Sequence, residues 1–588
     1  MNKLISLFKR TIKAPGGRWP SWRQLSCWLK VLPRRERWLA RGFSFVIIAS
    51  IAALFFSAYW FQTQSVPKSG GKYTEGILGQ PRYINPVLAQ TNDADRDLVR
   101  LVFSGLFKYD GQGNLIPDLA RDYTVETDGL TYNVFLKENV FWHNGEPLKA
   151  DDVIFTIKTI QNPEYRSPLK VNWQGVVIEK VDDLTIRFKL NNVYAPFLHN
   201  LTVAILPKHL WSGISAQNFA LAEYNLKPIG SGPYQFEKLI KDKDGKVVSI
   251  ELIRNEQFYL QSDSNGEIKP FIEKIALKFY NSQTALIEAK QKGQIDGLSF
   301  LPAKDQTDLE SNLNIHQISL PSYYALFFNQ TKSKPLADKT VRLALAHSVD
   351  KGEIINQVLN GQGVSVNSPL LEGWPSWTSE TKVYDFSPEH ARNILEAEDW
   401  KDTDEDGFRE KTIDDEEVKL EIGLLTTNWP ELRQTAEMIK GYWEEIGVKV
   451  NLSIVDAASV QQDYIRPREY DALLFGEVLG ADPDPFAFWH SSQKKDPGLN
   501  LALYQNDDAD KLLEDARQVM DQEIRTQKYV EFQKTLTENI PAIFLYSATY
   551  LYPVVEKIKG ISIERITDHS QRFSQVEDWY IKTKRVEK

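Results

Sequence analysis

The sequence predicts an α/β protein of several domains set behind one membrane-spanning helix, and three observations carry that expectation. The chain is long: 588 residues exceed the size at which one hydrophobic core keeps growing, so two to four domains are expected. Strand-like alternation and helix-like spacing succeed one another along most of it. One uncharged apolar run, Phe43 to Phe61, stands near its start. The composition is otherwise that of a soluble globular protein, 42% hydrophobic and 25% charged.

The net charge of -9 hides a division. Residues 1–42 hold eleven Lys and Arg against Glu36, a net +10, which leaves -19 for the remainder. An acidic outer portion argues against nucleic acid as a partner, because phosphate binding needs clustered Lys and Arg. The single cysteine, Cys27, allows no intramolecular disulfide and does not report the redox compartment.

At about 1.5 Å per residue, the 19 residues of the apolar run roughly cover a bilayer core of about 30 Å. Tyr59 and Trp60 suit the aromatic belt at its outer end. Basic residues before it and Gln62-Thr63-Gln64-Ser65 after it place the N-terminus inside. A cleaved signal peptide fits less well: its apolar region runs about 7–15 residues, and Ser57-Ala58-Tyr59 is a poor small-x-small site. Cys27 precedes the run, which excludes lipoprotein attachment. A buried core helix is the plainer alternative, and the adjoining basic block disfavours it. The expectation is a single-pass protein of the cell membrane with an extracytoplasmic body. It has a basic cytoplasmic segment (1–42), an anchor (43–61) and a flexible tether (62–72). Trp19, Trp22, Trp28 and Trp38 suit the inner membrane surface.

Beyond the tether, Tyr132, Val134 and Leu136 alternate with polar residues, as do Ile186, Phe188 and Leu190, and both read as half-buried strands. Asp182-Asp183 marks a turn between Val177–Val181 and Thr185–Leu190. Ser322–Phe328 is an apolar strand ending at Asn329. Lys339–Leu359 has helical spacing in Val341, Leu345, Val349 and Ile354-Ile355. Ser387-Pro388-Glu389 is an N-cap, an N1 proline and an acidic first turn, with Ala391, Ile394 and Leu395 on one helix face. Asn144-Gly145 and Asp128-Gly129 are turn dipeptides, and Ala150-Asp151-Asp152 caps a helix. His143, standing alone, reads as a residue that shapes its turn.

A series of motifs then appears in order. It includes Tyr83-Ile84-Asn85-Pro86, Ser104 to Asp110, Ile116-Pro117-Asp118-Leu119-Ala120 and Phe141-Trp142-His143-Asn144-Gly145-Glu146-Pro147 running on to Val153. Gly230-Ser231-Gly232-Pro233-Tyr234, Arg254-Asn255-Glu256-Gln257-Phe258-Tyr259, Val341 to Ala346 and Gly480-Ala481-Asp482-Pro483-Asp484-Pro485 follow. This ordered set, spanning about residues 73–550, resembles family 5 of the bacterial extracellular solute-binding proteins, the oligopeptide, dipeptide and nickel binders of ABC importers. The resemblance implies a periplasmic-binding-protein type II clamshell with an additional small domain. Lobe I would comprise 73–104, 205–314 and 546–588, the small domain 105–204, and lobe II 315–545. Ligand would lie between the lobes and be enclosed by hinge closure. The implied partners are a peptide or related small solute, the permease and ATPase subunits, and the membrane through the N-terminal helix.

In the family's oligopeptide and dipeptide binders, an aspartate just before the DPD-like element pairs with the ligand's free amine, and a buried ammonium without such a partner costs several kcal/mol. Leu479 stands at that position here and forms no such pair. Glu477 is the nearby substitute, with Val478, Gly480 and Asp482 on the same segment and Asp484 beyond. Trp489 and Phe488 are candidate cleft walls, and Asn329 a candidate backbone-amide partner. Asp402, Asp404 and Asp406, followed by Gly407, begin an EF-hand-type loop and are candidate ligands for a structural Ca²⁺, although Ile413 stands where the closing Glu belongs. No cofactor is otherwise implied.

The eight histidines include no His-x-x-x-His or His-Glu-x-x-His pair, and neither Gly-x-Ser-x-Gly nor a phosphate loop occurs. The chain therefore reads as a binder and not an enzyme. Two alternatives stand beside import: a membrane-anchored solute sensor, and a hydrolase using paired carboxylates.

Overall fold

A computed structural model describes residues 33–260, 266–309, 313–413 and 415–587. The expectations for Cys27, Trp19, Trp22, Trp28 and most of the basic segment lie outside these residues. The described chain divides into two units, one of residues up to 67 with 583–588 and one of 68–582.

In the first unit, helix α1 (Arg34–Gln62) is longer than the apolar run, extending through Arg34, Arg35, Arg37 and Arg41. None of its residues is buried, and it is the one helix among the described residues long and apolar enough to cross a membrane. The expected flexible tether is a strand instead: Thr63–Lys68 (β1) pairs with Lys582–Glu587. Arg585 explains the order. It donates to Thr63 Oγ1 and O (2.8 and 3.0 Å) and lies over the Trp60 ring at 3.7 Å.

The second unit opens with β2 (Lys72–Leu78) and α2 (Asp93–Val102), the latter capped by Asn92, whose side chain accepts from Ala94 N–H. There follow β3 (Phe107–Tyr109), β4 (Leu115–Pro117), β5 (Ala120–Val125), β6 (Thr131–Leu136), α3 (Ala150–Gln161), β7 (Val177–Lys180) and β8 (Thr185–Lys189). Strands β5-β6-β8-β7 form one antiparallel sheet. Tyr132, Val134, Leu136, Ile186 and Phe188 are buried in it, as their alternation predicts. This part leaves and rejoins the body through a bridge between Gly105 and Ala204. Its apolar residues form one continuous cluster with those of lobe I, so it does not have a core of its own.

The chain continues through β9 (Tyr234–Lys241), β10 (Val247–Arg254), β11 (Lys274–Tyr280), β12 (Gly297–Leu298) and β13 (Leu313–Ile318). With the returning strand Tyr550–Val555 these make the seven-stranded sheet of lobe I, in which β2 runs parallel to both β11 and β12. Lobe II is built on six strands: β14 (Ser322–Phe328), β15 (Gly363–Ser365), β18 (Glu421–Thr427), β19 (Lys449–Val455), β20 (Ala472–Val478) and β21 (Ala542–Ala548), with the hairpin β16 (Glu410–Ile413) and β17 (Glu416–Lys419) outside the sheet. The strand ends place the two crossings between lobes at 319–321 and at Thr549, a few residues beyond the sequence-based boundaries.

The helix expected over Lys339–Leu359 is two helices, Lys339–His347 and Lys351–Leu359. Asp350 divides them, because its carboxylate accepts from Glu353 N–H and so starts a new helix. Ser387 does cap Pro388–Ala397 by accepting from His390 N–H, burying Ala391 and Leu395.

Candidate functional site

Between the two lobes lie two cavities that meet along Arg96, Thr567 and Asp568. The larger, about 540 Å³, is walled on the lobe II side by Tyr323, Tyr324, Trp429, Glu477 and Tyr546, and on the lobe I side by Phe300, Tyr550 and His569. The smaller, about 390 Å³, takes Arg96 and Arg100 from α2, Tyr109, Trp173, Tyr194 and His199 from the small β5–β8 part, and Gly480, Ala481, Asp482 and Asp484 from lobe II. Residues 477–484 thus run from one cavity to the other.

Strand pairing sets the larger chamber. Strands β14 and β20 are antiparallel with Tyr323 opposite Glu477, and the Tyr323 hydroxyl donates to Glu477 Oε2. Glu477 is buried, and its Oε1 has no partner among the described residues. Burial pushes its carboxyl up to about 8, against the pull of the Tyr323 hydroxyl. On the opposite wall the rings of Phe300 and Tyr550 stack against His569, at centroid distances of 6.1 and 4.8 Å.

The floor that both cavities share is held from beneath. Asp568 caps the turn His569–Phe573 by accepting from Ser570 N–H. Arg572 follows, fully buried, and donates to both oxygens of Asp97 on α2 (2.7 and 2.6 Å) and to Glu75 on β2 (3.0 Å). The guanidinium therefore ties the C-terminal segment, α2 and the lobe I sheet together, which fixes Thr567 and Asp568 relative to Arg96.

In the smaller chamber Asp482 is committed to a two-point ion pair with Arg525 and lies 3.5 Å from His199 Nε2. Burial opposes its charge, but His199 and Arg525 still hold the carboxyl below its ordinary range. Asp484 pairs with Arg517 at 2.9 Å. The Arg517 guanidinium lies over Phe486 at 4.2 Å and over Tyr194 at 5.3 Å, and its carbonyl accepts from Ala195 N–H at 3.0 Å. These contacts carry the small part across to lobe II. Arg100 differs: its Nε is buried without a partner, and no acceptor among the described residues pairs with it.

The sequence candidates separate accordingly. Glu477 and Val478 line the larger cavity, Gly480 and Asp482 the smaller. Leu479, Trp489 and Asn329, expected at the cleft, line neither. Leu479 and Trp489 are buried in the lobe II core, with Trp489 packed against Phe327 and Phe544. The Asn329 side chain donates to the Arg468 carbonyl at 3.0 Å and accepts from Thr331 N–H and Oγ1–H at 3.2 and 2.7 Å, so it shapes a turn inside lobe II. In the acidic loop, Asp402 and Asp404 converge with Glu410, at loop position 9, and not with Asp406. Lys419 donates to both Asp404 and Asp406, at 3.2 and 3.1 Å. His143 does shape its turn: Nδ1 accepts from Gly230 N–H and Nε2 lies against Gly232 O, both at 3.1 Å. Sequence reading missed Arg96, Arg100, Phe300, Trp429 and His569. Only the i, i+4 spacing of Arg96 and Arg100 on one helix face offered a local signal.

Two α/β lobes joined by two crossings, with ligand-sized cavities between them, define a solute-binding clamshell. The model of the bacterial extracellular solute-binding proteins, family 5, matches residues 114–499, and the chain belongs to that family. It is accordingly a solute-binding protein and not an enzyme. Among relatives, the oligopeptide-binding protein AppA of Bacillus subtilis is 29% identical over 88% of this chain and 92% of its own length, and the dipeptide-binding protein of Escherichia coli 25% over 84% and 92%. Among solved structures, NikZ of Campylobacter jejuni in complex with Ni(L-His) matches with a TM-score of 0.69, and B. subtilis AppA in complex with a nonapeptide with 0.66. Each is 28% identical and covers 88% of this chain and all of the other.

Proposed function

We propose that the chain is the substrate-binding subunit of an ABC importer, held at the outer face of the membrane by α1, and that it takes a peptide or related solute between its lobes and hands it to the permease. The observation that carries this reading is an acidic and a basic group, one at each chamber, each with a buried atom that has no partner among the described residues: Oε1 of the Glu477 carboxyl and Nε of the Arg100 guanidinium. A peptide has an ammonium and a carboxylate at its ends and an extended backbone between, and chambers placed side by side suit such a ligand. The two relatives named for oligopeptides and dipeptides support it further. Capture, lobe closure, docking and release involve no covalent step on this chain; the partner ATPase supplies the energy.

Native mass spectrometry of the full chain, extracted gently from its own membranes, tests the reading. Retained peptides are the expected result, and a sugar or a metal chelate in their place overturns it. The same spectrum reads the anchor: an intact mass that includes α1 is expected, and a chain beginning after Phe61 ends the tethering proposal.

A further inference from the structure

The outer end of α1 is completed by a residue from the far end of the chain. A helix leaves its last four carbonyls without partners inside the helix, and a cation placed there also answers the negative end of its dipole. The last turn of α1 holds no basic residue of its own. Thr63 takes up the Tyr59 carbonyl with its amide N–H and with its hydroxyl, the latter at 2.6 Å. Arg585 does the rest. Its Nη2 donates to the Trp60 carbonyl at 3.2 Å and to Thr63 O at 3.0 Å, and its Nε donates to Thr63 Oγ1 at 2.8 Å. The guanidinium also lies 3.7 Å from the centre of the Trp60 ring and 5.6 Å from that of Tyr59.

These contacts fix the level at which the cation sits. Trp60 and Phe61 end the apolar run, and Trp and Tyr rings favour the headgroup layer of a bilayer. A guanidinium stacked on Trp60 is in that layer whenever α1 spans a membrane. Its third nitrogen, Nη1, has no partner among the described residues, and the side chain is only partly buried. The two paired strands add Lys68, Lys582 and Lys584, with Glu587 their one acidic residue. That is four basic groups against one acidic, a net +3, in a chain that is net -19 beyond residue 42. Lys68 and Lys582 are exposed.

We propose that the ribbon of Thr63–Lys68 and Lys582–Glu587 is a lipid-binding seat: Arg585 locks it to the end of the anchor, and Arg585 with the neighbouring lysines binds the phosphates of anionic phospholipid headgroups around α1. The inference rests on the reading of α1 as a retained anchor and goes beyond it, because it gives the anchor a second, non-covalent attachment and a preference among lipids. A brace alone would need only the bonds that Arg585 makes to the helix end. The spare Nη1 donor and the lysines beside it are what a phosphate ligand accounts for. The planar guanidinium matches phosphate oxygens, and lysines within a Debye length of the surface add attraction without fixed geometry.

Full chain reconstituted in vesicles of phosphatidylcholine, alone or mixed equally with phosphatidylglycerol, tests this by amide hydrogen exchange read by mass spectrometry. In wild type, exchange over 63–68 and 582–587 should be about fivefold slower with phosphatidylglycerol present, because a bound headgroup opposes opening of the ribbon. Equal rates in the two lipids overturn the proposal. The difference should shrink when Lys68→Gln, Lys582→Gln and Lys584→Gln are combined; a difference retained in full overturns the role given to the lysines. Arg585→Leu should speed exchange over 63–68 about tenfold in either lipid while β14 of lobe II exchanges as in wild type. Unchanged ribbon rates overturn the lock. Arg585→Lys keeps the charge and loses the fork, so it should exchange fast in phosphatidylcholine and still slow with phosphatidylglycerol. If Arg585→Leu disturbed β14 as well, this milder variant would decide the lock in its place. The intact mass of the same samples keeps the two readings apart. A chain beginning after Phe61 ends the anchoring reading and the seat with it, whereas an intact chain with lipid-independent exchange ends the seat alone.

Discussion

Fully buried carboxyls occur in both lobes, and the Glu75–Asp97 pair of lobe I and Glu477 of lobe II are held in opposite ways. In lobe I, Glu75 and Asp97 share Arg572, all three fully buried, with Tyr73 and Tyr552 completing the bonds to Glu75. In lobe II, Glu477 has one tyrosine and an empty lone pair. Desolvation raises the affinity of every one of these carboxyls for a proton, but Glu75 and Asp97 share a fixed cation and Glu477 has none. The cost of removing each ion from water is several kcal/mol, so a missing partner is as informative as a present one. Where the chain provides its own countercharge the group holds the structure together.

The largest effect should come from breaking the paired side. Arg572→Met leaves two buried carboxylates without a cation and frees the floor segment from α2, and we expect a loss of about 3–5 kcal/mol in unfolding free energy by urea titration. A loss below about 1 kcal/mol would mean that the triad adds little and that the contrast between lobes is not one of charge pairing. A smaller effect tests a buried group of opposite type. His143 is pressed down to about 4 by burial, with both ring nitrogens spent on Gly230 and Gly232. Protonation is therefore costlier in the folded state, and stability should fall as pH drops from about 6.5 toward 4, by about 3 kcal/mol at the low end. Glu477 gives the opposite slope in the alkaline half of the range. Chemical denaturation of His143→Gln, which cannot gain the proton, should flatten the acid limb alone; an unchanged acid limb rules out His143 as its source.

Much of the fold was legible because local and global signals agree. Ser322–Phe328 reads as a strand from its apolar run and takes its place between β20 and β21. The Gly230-Ser231-Gly232 motif has an evident cause: a Cβ at Gly230 would lie 1.9 Å from Val102 O. Where sequence reading went astray, the deciding contact was far away. Thr63–Lys68 reads as a tether until Arg585, over five hundred residues on, binds Thr63. Asn329 and Trp489 have the right chemistry for a cleft, but sequence does not reveal which side of a strand end or turn faces the other lobe. The site itself is assembled from α2, the strand ends of lobe II and the segment around Asp568, and no local pattern links Arg96 to Asp568. Glu477 was found because it stands two residues from the position where the family's amine-pairing aspartate belongs.

The smallest effect is expected at the surface, where the lesson of the two lobes should cease to apply. Lys419 bridges Asp404 and Asp406 at the rim of the acidic loop, with all three side chains largely in water. The lysine holds Asp406 below the ordinary carboxylate range, although the bond from Phe408 N–H contributes more. Solvent already screens these charges, and exposed pairs contribute little to stability. Lys419→Met should therefore leave the thermal midpoint unchanged at moderate salt, while Arg572→Met lowers it severely under the same conditions. If the two variants fell by similar amounts, burial would not be what separates a structural charge from an idle one, and the unpaired state of Glu477 would lose its meaning as a mark of function.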